Sequence, residues 1–251
     1  MFVVIIGTAG SGKTSLVAAY SEWLEGQGYR VARVNLDPGA EDLPYTADFD
    51  VRHMFTVSEI MKRYGLGPNG ALIKASDLIA ENVSEILRHR VFRRLHDFVL
   101  IDTPGQMEIF VFRASGPRFI ERLKTRGPVV GVFLVDGELV KSPVDLVVAW
   151  LTGLIVQMKM DIPVVPVVNK MDLVRDVEVV EKLIEDPLSL REEIAEKASG
   201  LIADVALDMA EILHKSTSAF RLVGISATKR EGLDELHSLV HEAFCTCGDL
   251  S

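Results

Sequence analysis

Eight residues near the amino end decide the fold: Gly7-Thr8-Ala9-Gly10-Ser11-Gly12-Lys13-Thr14. They fit the pattern G-x-x-x-x-G-K-[ST], and they lie between an apolar run that predicts a strand and an amphipathic stretch that predicts a helix. Glycines here let backbone N–H groups surround phosphate oxygens, and the helix N-terminus adds partial positive charge. The pattern therefore predicts a phosphate-binding loop, against the alternative of a plain glycine turn between strand and helix.

Short apolar runs rich in β-branched residues recur along the chain, with helical patterns between them. Their nearly continuous hydrophobicity predicts strands that helices cover on both faces. We therefore predict an α/β, three-layer P-loop NTPase fold with a mainly parallel central sheet of about six strands. The runs are residues 2–6, 29–34, 98–101, 129–135, 164–168 and 220–225.

About sixty residues separate the second and third runs, which is too long for a simple connection. Thr56-Val57-Ser58-Glu59 has the spacing of a capping box and predicts a helix over about 57–64. A glycine-rich break should end this helix, and a second helix is predicted over residues 77–89. We expect a single domain over residues 1–251, with a helical insertion between strands 2 and 3 at about 38–97.

Prolines mark two further boundaries. Ser142-Pro143 followed by Asp145 predicts a helix start, because these residues are favoured at the N-cap, the first turn and the positive end of the helix dipole. Pro163 and Pro166 flank and interrupt the fifth run. Because proline cannot donate to a sheet ladder, we expect a late strand start, an unpaired position or a bulge there.

Composition excludes several classes of protein. The 251 residues are 48% hydrophobic and 25% charged, which excludes a disordered or collagen-like chain, and the net charge of −9 argues against direct nucleic-acid binding. Cys245 and Cys247 are the only cysteines, too few for a disulfide-stabilised secreted fold. No apolar stretch reaches membrane-spanning length and no signal peptide precedes the first run. We therefore expect a cytoplasmic protein without a membrane partner.

The phosphate chemistry requires a cation and an acid. Lys13 is predicted to reach the β- and γ-phosphates, and the Thr14 hydroxyl to bind Mg²⁺, with Ser15 completing the nucleotide-binding set. The third run ends in Asp102-Thr103-Pro104-Gly105-Gln106, where Asp102 can hold Mg²⁺ through water while Gly105 faces the phosphates. A carboxylate at this position could alternatively cap the next helix.

A base-recognition pattern follows the fifth run. In Asn169-Lys170-Met171-Asp172, the aspartate can accept the N1–H and 2-amino groups of guanine, a pair of donors that adenine lacks. The stretch Ser226-Ala227-Thr228 after the sixth run can supply a backbone N–H for the guanine oxygen. Either pattern alone could be a turn, but together behind a phosphate loop they indicate guanine recognition.

A dinucleotide-binding fold is the competing interpretation of the first glycines. In that case Asp37, at the end of the second run, would hold a ribose. However, Gly7, Gly10 and Gly12 give G-x-x-G-x-G rather than G-x-G-x-x-G, and a dinucleotide site does not need Lys13.

These elements, in this order, resemble a GTPase over essentially the whole chain. Asn35-Leu36-Asp37-Pro38, followed by a helical insertion, resembles the all-parallel SIMIBI class rather than Ras-like proteins. Gly67-Pro68-Asn69 inside that insertion resembles the GPN-loop GTPases, and the compact length resembles their archaeal members. Thr8 stands where the deviant-Walker subgroup carries a second lysine, so that subgroup is disfavoured.

The resemblance implies a switch that binds GTP with Mg²⁺ and hydrolyses it to GDP and phosphate. It implies a homodimer in which Gly67, Pro68 and Asn69 reach the partner's site, so that Asn69 acts in trans; the tripeptide alone would favour a surface turn. Asp37 or Gln106 would orient the attacking water, and Asp37 is also a candidate for the metal through water. Eukaryotic members are linked to RNA polymerase assembly, which suggests an assembly or chaperone-like role with an unidentified protein client.

Two other classes stay open. A metal-insertion GTPase would need a metal site, for which His237, His241 and the two cysteines at the carboxyl end have suitable spacing. A small-molecule or polynucleotide kinase would need a basic lid. The dense arginine cluster that could form one comprises Arg88, Arg90, Arg93 and Arg94.

Overall fold

The computed structural model describes residues 1–93, 95–185, 187–216 and 221–248. Within these ranges seven strands form one sheet, in the order β3-β2-β4-β1-β5-β6-β7, and every strand pair is parallel. The three-layer α/β prediction is confirmed. The strands are β1 Phe2–Gly7, β2 Val31–Asn35, β3 Phe49–Asp50, β4 Phe98–Asp102, β5 Val129–Asp136, β6 Val164–Asn169 and β7 Val223–Gly224.

The predicted count of about six strands is one too low, because β3 was not anticipated. This edge strand has two residues and pairs with Val34 and Asn35 of β2. A pair of residues carries no periodic signal, so tertiary pairing alone defines the strand. Within the sixth predicted run, only Val223 and Gly224 form a strand, β7. The first residue of that run, Phe220, lies outside the described residues.

Ten helices surround the sheet in the described ranges, and they cover both of its faces. Successive side chains along each strand point to opposite faces, so each strand packs against helices on both sides. Val3 and Ile5 of β1 pack toward α1 and α10, whereas Val4 and Ile6 belong to the larger core formed with α3 to α9. The helices are α1 Lys13–Gly26, α2 Val57–Tyr64, α3 Pro68–Ile86, α4 Met107–Phe112, α5 Ser115–Lys124, α6 Pro143–Met160, α7 Val177–Glu185, α8 Pro187–Lys197, α9 Leu201–Ser216 and α10 Leu233–Gly248.

The insertion confirms one predicted helix and corrects the other. Thr56 and Glu59 form the expected capping box at the start of α2. The second helix starts at Pro68, nine residues before the predicted position, and it ends at Ile86. Gly67 is its extended N-cap, and Pro68 occupies the first turn, where a missing N–H costs nothing. The predicted break is present at Gly65, which caps the end of α2 with φ of 64°, but Gly-Pro-Asn already forms the start of α3.

The prolines of β6 behave as predicted. The strand starts at Val164, directly after Pro163, whose carbonyl accepts the N–H of Gly131 in β5. In a parallel strand, the backbone N–H and C=O groups of successive residues point to the two neighbouring strands in turn, so the backbone nitrogen of Pro166 faces β7. Strand β7 pairs with β6 only from Val167 onward. Pro166 is the register partner of Phe133 in β5, and its missing N–H falls on the β7 side, before pairing with β7 begins.

Helix α6 begins as predicted, with the Ser142 side chain accepting the N–H of Asp145 and Pro143 in the first turn. Its 18 residues have a mean hydropathy of 1.3, so by length and composition it could cross a membrane. The expectation that no stretch reaches that length is therefore wrong for α6. Trp150 and Val156 of α6 are buried in the core, which is the position of a core helix in a globular domain.

Candidate functional site

The glycine-rich segment runs from the carboxyl end of β1 into α1. Gly10 and Gly12 have φ of 79° and 92°, which side chains rarely adopt. A Cβ at Gly12 would lie 2.4 Å from Nδ2 of Asn169, so the close approach also requires glycine. No side chain caps the first turn of α1, where the N–H groups of Lys13, Thr14 and Ser15 lack intrahelical acceptors. This concave, donor-rich end suits an anion.

Lys13 places its ammonium group among the carbonyls of this loop. Its Nζ donates to the carbonyl oxygens of Gly7 at 2.9 Å, Thr8 at 2.8 Å and Gly105 at 3.2 Å. Burial lowers the pKa of Lys13, while the nearby carboxylates of Asp102 and Asp37 act in the opposite direction. The ammonium therefore connects the phosphate loop to the loop that follows β4.

Asp102 ends β4 beside this lysine and is only 1% exposed. Its Oδ2 accepts the Tyr45 hydroxyl at 3.0 Å, and its Oδ1 has no partner with hydrogen-bonding geometry. Burial raises the pKa of Asp102 to about 6, although the hydroxyls of Thr14 and Tyr45 oppose this rise. A buried carboxylate oxygen without a donor, next to a threonine hydroxyl, is a suitable place for a hard divalent cation.

Asp37 joins the loops after β2 and β4. Its Oδ1 accepts the N–H of Gly39 at 2.8 Å, and its Oδ2 accepts the N–H of Gly105 at 3.0 Å. Burial raises the pKa of Asp37, while these two N–H groups and Lys13 oppose the shift. These two bonds orient the carboxylate and connect the loop after β2 to the loop after β4.

Gln106 is the N-cap residue of α4, and it makes no side-chain cap bond. It lines a small cavity together with Pro38 and with Leu72 of α3. Gln106 therefore lies between the insertion and the loop after β4, next to Gly105.

Asn169 connects three loops at the end of β6. It is 2% exposed, its Nδ2 donates to the Ser11 carbonyl at 2.8 Å, and its Oδ1 accepts the N–H of Ala227 at 3.0 Å. The following Lys170 has φ of 64°, and its Nζ bonds to Oδ2 of Asp136 at 2.5 Å. This network fixes the loop after β6 against the phosphate loop.

Asp172 is exposed, and its Oδ1 accepts the Ser226 hydroxyl at 2.6 Å. The segment 226–228 is predicted to supply one backbone N–H to a base oxygen, and two of its N–H groups are already bonded: Ser226 donates to Glu231, and Ala227 donates to Asn169. In the described part of the chain the N–H of Thr228 has no acceptor. The structure thus brings the two predicted base-recognition segments together.

Gly67, Pro68 and Asn69 are exposed at the start of α3. Leu72, one turn further on, approaches Gly39 in the loop after β2, because a Cβ at Gly39 would lie 3.8 Å from Leu72 Cδ2. The tripeptide therefore projects from the end of the insertion that borders the phosphate site, and its Asn69 side chain faces outward.

Two sequence-based candidates do not join this site. Arg88, Arg90 and Arg93 lie next to Phe92, whose ring contacts Phe2 at the amino end of β1, the opposite edge of the sheet from the phosphate loop. They do not form a lid over it, and Arg94 lies outside the described residues.

The carboxyl-terminal cluster is only partly described. His237 and His241 pack with ring centroids 4.5 Å apart, and Nδ1 of His237 bonds to the Tyr20 hydroxyl at 2.9 Å. The side chains of Cys245 and Cys247 lie outside the described set. Among the side chains that are described, no group of three or more His, Cys, Asp or Glu residues could hold a metal ion.

Sequence reasoning missed three residues of the site. Tyr45 and Arg52 lie in the insertion and carry no motif, so only the tertiary fold reveals their contacts with Asp102 and Asp50. Asp136 could have been found, because it stands at the carboxyl end of the fourth predicted run.

Comparisons with known proteins identify the family. Residues 5–246 match the family described as "Conserved hypothetical ATP binding protein". The chain is 39% identical to GPN-loop GTPase PAB0955 of Pyrococcus abyssi, with all of both chains covered. The crystal structure of that protein in its apo form superposes with a TM-score of 0.86 at 37% identity, covering 98% of each chain.

A longer eukaryotic relative gives the same result. GPN-loop GTPase 1 of Dictyostelium discoideum is 29% identical over 93% of this chain, which spans 59% of that protein's length. The full-length match, the shared fold and the motif residues assembled at the sheet edge agree with one another. The chain therefore belongs to the GPN-loop GTPase family.

Proposed function

We propose that this protein binds GTP with Mg²⁺ and hydrolyses it to GDP and phosphate. The observation that carries this proposal is the double hydrogen bond of Asn169, to Ser11 of the phosphate loop and to Ala227 of the loop after β7. This side chain connects the loop proposed to bind the triphosphate with the loop proposed to bind the base. The names of the relatives support the same activity.

Guanine is the proposed base, although the matching family description mentions ATP. Asp172 is exposed and oriented by the Ser226 hydroxyl, so it can accept two N–H bonds from guanine. Adenine offers no such pair of donors. The guanine oxygen would take an N–H from the 226–228 segment, either that of Thr228 or that of Ala227 in exchange for Asn169.

The residues that would hold Mg²⁺ are the Thr14 hydroxyl and Asp102, the latter through water. The unpartnered Oδ1 of Asp102 supports this assignment. When bound, the ion would neutralise charge on the phosphate oxygens. Asp37 is a second candidate for the metal through water, since each of its oxygens accepts one backbone N–H and keeps a further acceptor site.

The chain's own groups provide the rest of the chemistry. Lys13 would exchange its carbonyl partners for β- and γ-phosphate oxygens, where charge develops during phosphoryl transfer. The N–H of Gly105 would face the γ-phosphate. Once its hydrogen bond to Gly105 is broken, the Asp37 carboxylate can orient the attacking water. Gln106, the residue that follows Gly105, is the alternative candidate for orienting this water.

We further propose a homodimer in which the Gly67-Pro68-Asn69 segment of one subunit completes the site of the other. The exposed Asn69 side chain at the start of a 19-residue helix supports this role, since a rigid helix start can present an amide to a second copy. A cytoplasmic assembly or chaperone-like switch is the cellular role that the family resemblance favours.

Phosphate release is the direct test. Purified protein should release phosphate from GTP without an added acceptor, in a Mg²⁺-dependent manner, and much more slowly from ATP. Sedimentation in parallel should show a dimer. Equal rates with both nucleotides would contradict guanine selectivity, and phosphate transfer only to an added acceptor would indicate a kinase.

A further inference from the structure

We propose that Tyr45 is a positioning residue for the metal site, because it binds one carboxylate oxygen of Asp102 and leaves the other for Mg²⁺ or its water. This inference rests on the proposed function. The Tyr45 hydroxyl donates to Oδ2 of Asp102 at 3.0 Å, whereas Oδ1 of the same carboxylate is buried and makes no bond with hydrogen-bonding geometry, with the Thr14 hydroxyl nearby. One oxygen of the buried Asp102 carboxylate is therefore held by Tyr45, and the other is not.

The backbone around Tyr45 is anchored on both sides. Upstream, the Arg52 guanidinium donates to the carbonyls of Ala40 at 3.0 Å and Glu41 at 2.9 Å. Downstream, the N–H of Asp48 bonds to the Arg33 carbonyl at 2.8 Å. These contacts fix both ends of the 41–48 segment against β2 and the start of the insertion, so Tyr45 occupies a defined place.

The Arg52 side chain is in turn fixed by Asp50. It bonds to both carboxylate oxygens of Asp50, which is 7% exposed and also accepts Nδ2 of Asn35 at 2.9 Å. The phenol ring of Tyr45 packs against the hydrophobic cluster under α1. Ring packing and backbone anchors together give the hydroxyl one direction, toward Asp102.

A carboxylate can otherwise rotate and present either oxygen to a metal. Outer groups that orient a metal-binding side chain typically change metal affinity by about 10- to 100-fold when they are removed. Holding Oδ2 therefore selects Oδ1 as the oxygen that faces the cation, before any nucleotide binds.

The test is Tyr45→Phe, which removes the hydroxyl and keeps the ring. We expect the Mg²⁺ concentration needed for half-maximal strengthening of GDP binding, measured by calorimetry, to rise by roughly tenfold. GDP affinity in EDTA should stay within about twofold of wild type, because the hydroxyl contacts neither phosphate loop nor base loop. Mn²⁺ binding to the GDP complex, followed by electron paramagnetic resonance, should weaken in parallel.

Tyr64→Phe is the matched control, since Tyr64 is 44% exposed on α2. It should leave both metal measurements unchanged. If Tyr45→Phe lowers the melting temperature but leaves the Mg²⁺ and Mn²⁺ dependence unchanged, the hydroxyl only stabilises a buried acid and the inference is wrong. Failure of wild-type protein to bind GDP at all would instead overturn the proposed function.

Discussion

The Asp37 carboxylate accepts the N–H of Gly105 at 3.0 Å, and Lys13 holds the carbonyl of the same glycine at 3.2 Å. Both ends of Gly105 are thus bound by groups that the proposed mechanism assigns to the γ-phosphate and the attacking water. A triphosphate would compete for Lys13 and for the N–H of Gly105 at once. Its arrival would therefore also release the Asp37 carboxylate.

Asp37→Asn should lower GTP turnover by about 100-fold, because a neutral amide polarises the attacking water much less than a carboxylate does. Single-turnover phosphate release measures this step without interference from product release. Gln106→Ala is the comparison variant. Near-normal turnover in Asp37→Asn with a large loss in Gln106→Ala would assign the attacking water to Gln106 instead.

Asn69→Ala should reduce turnover while leaving GTP affinity nearly unchanged, since Asn69 faces away from its own subunit. A lost donor to the reacting phosphate would cost about 100-fold in rate. Asn82→Ala on the same helix, where the side chain donates to the Leu78 carbonyl one turn earlier, should not affect turnover. Mixing Asn69→Ala with Lys13→Ala subunits tests the trans assignment, because each mixed dimer would then contain one complete site, built from Lys13 of one subunit and Asn69 of the other. The mixture should therefore recover activity that neither variant has alone, and a mixture no more active than the separate variants would contradict the assignment.

Asp172→Asn should weaken GTP binding by roughly 100-fold and strengthen binding of xanthosine triphosphate. An asparagine offers an N–H donor, which suits the C2 carbonyl of xanthine and not the 2-amino group of guanine. Competition of both nucleotides against a fluorescent GDP analogue measures the change. Asp176→Asn, another exposed acid nearby, serves as the control, and an unchanged base preference in Asp172→Asn would remove Asp172 from the base site.

Gly12→Ala should lower the free energy of unfolding by about 1–3 kcal/mol and abolish nucleotide binding. The added Cβ meets Nδ2 of Asn169 at 2.4 Å, and the φ of 92° is strained for alanine. Gly26→Ala is the matched control, because Gly26 ends α1 with open space around it. Chemical denaturation and calorimetry measure the two effects, and a stable, nucleotide-binding Gly12→Ala protein would contradict the described loop.

His237 should make the stability of the fold depend on pH in the acidic range. Burial, together with nearby His241, lowers the pKa of His237 to about 4, below the unfolded value of about 6.5. The unfolded chain therefore binds the extra proton first, and stability falls as the pH decreases from about 6.5 toward 4. Between pH 6.5 and pH 4, the melting temperature of His237→Gln should fall less than that of wild type. The exposed His53→Gln variant should follow wild type, and identical curves for all three would exclude this role.

Local signals predicted much of the fold and part of the site. The phosphate loop, the capping box at Thr56 and the start of α6 at Pro143 each depend on a few adjacent residues, whose backbone preferences act without the rest of the chain. The strand runs also appeared in the sequence, because strands buried on both faces must be apolar throughout. In these places a short window of sequence is enough to predict the local structure.

The start of α3 shows where local reasoning failed. Gly, Pro and Asn are strong turn formers, and the same residues also suit a helix N-terminus. Burial of Ala71 and Ala75, which pack with Ile60 of α2, decides between the two, and that contact cannot be read from composition.

The sequence by itself determined the family of chemistry: a phosphate loop, an acid after the third run and a base-recognition pattern after the fifth. Only the tertiary structure decided which side chains meet there. Asn169 reaches Ser11 across 158 residues, and Tyr45 reaches Asp102 across 57. Such contacts depend on sheet order and on loops anchored at both ends, and no local preference encodes either of them.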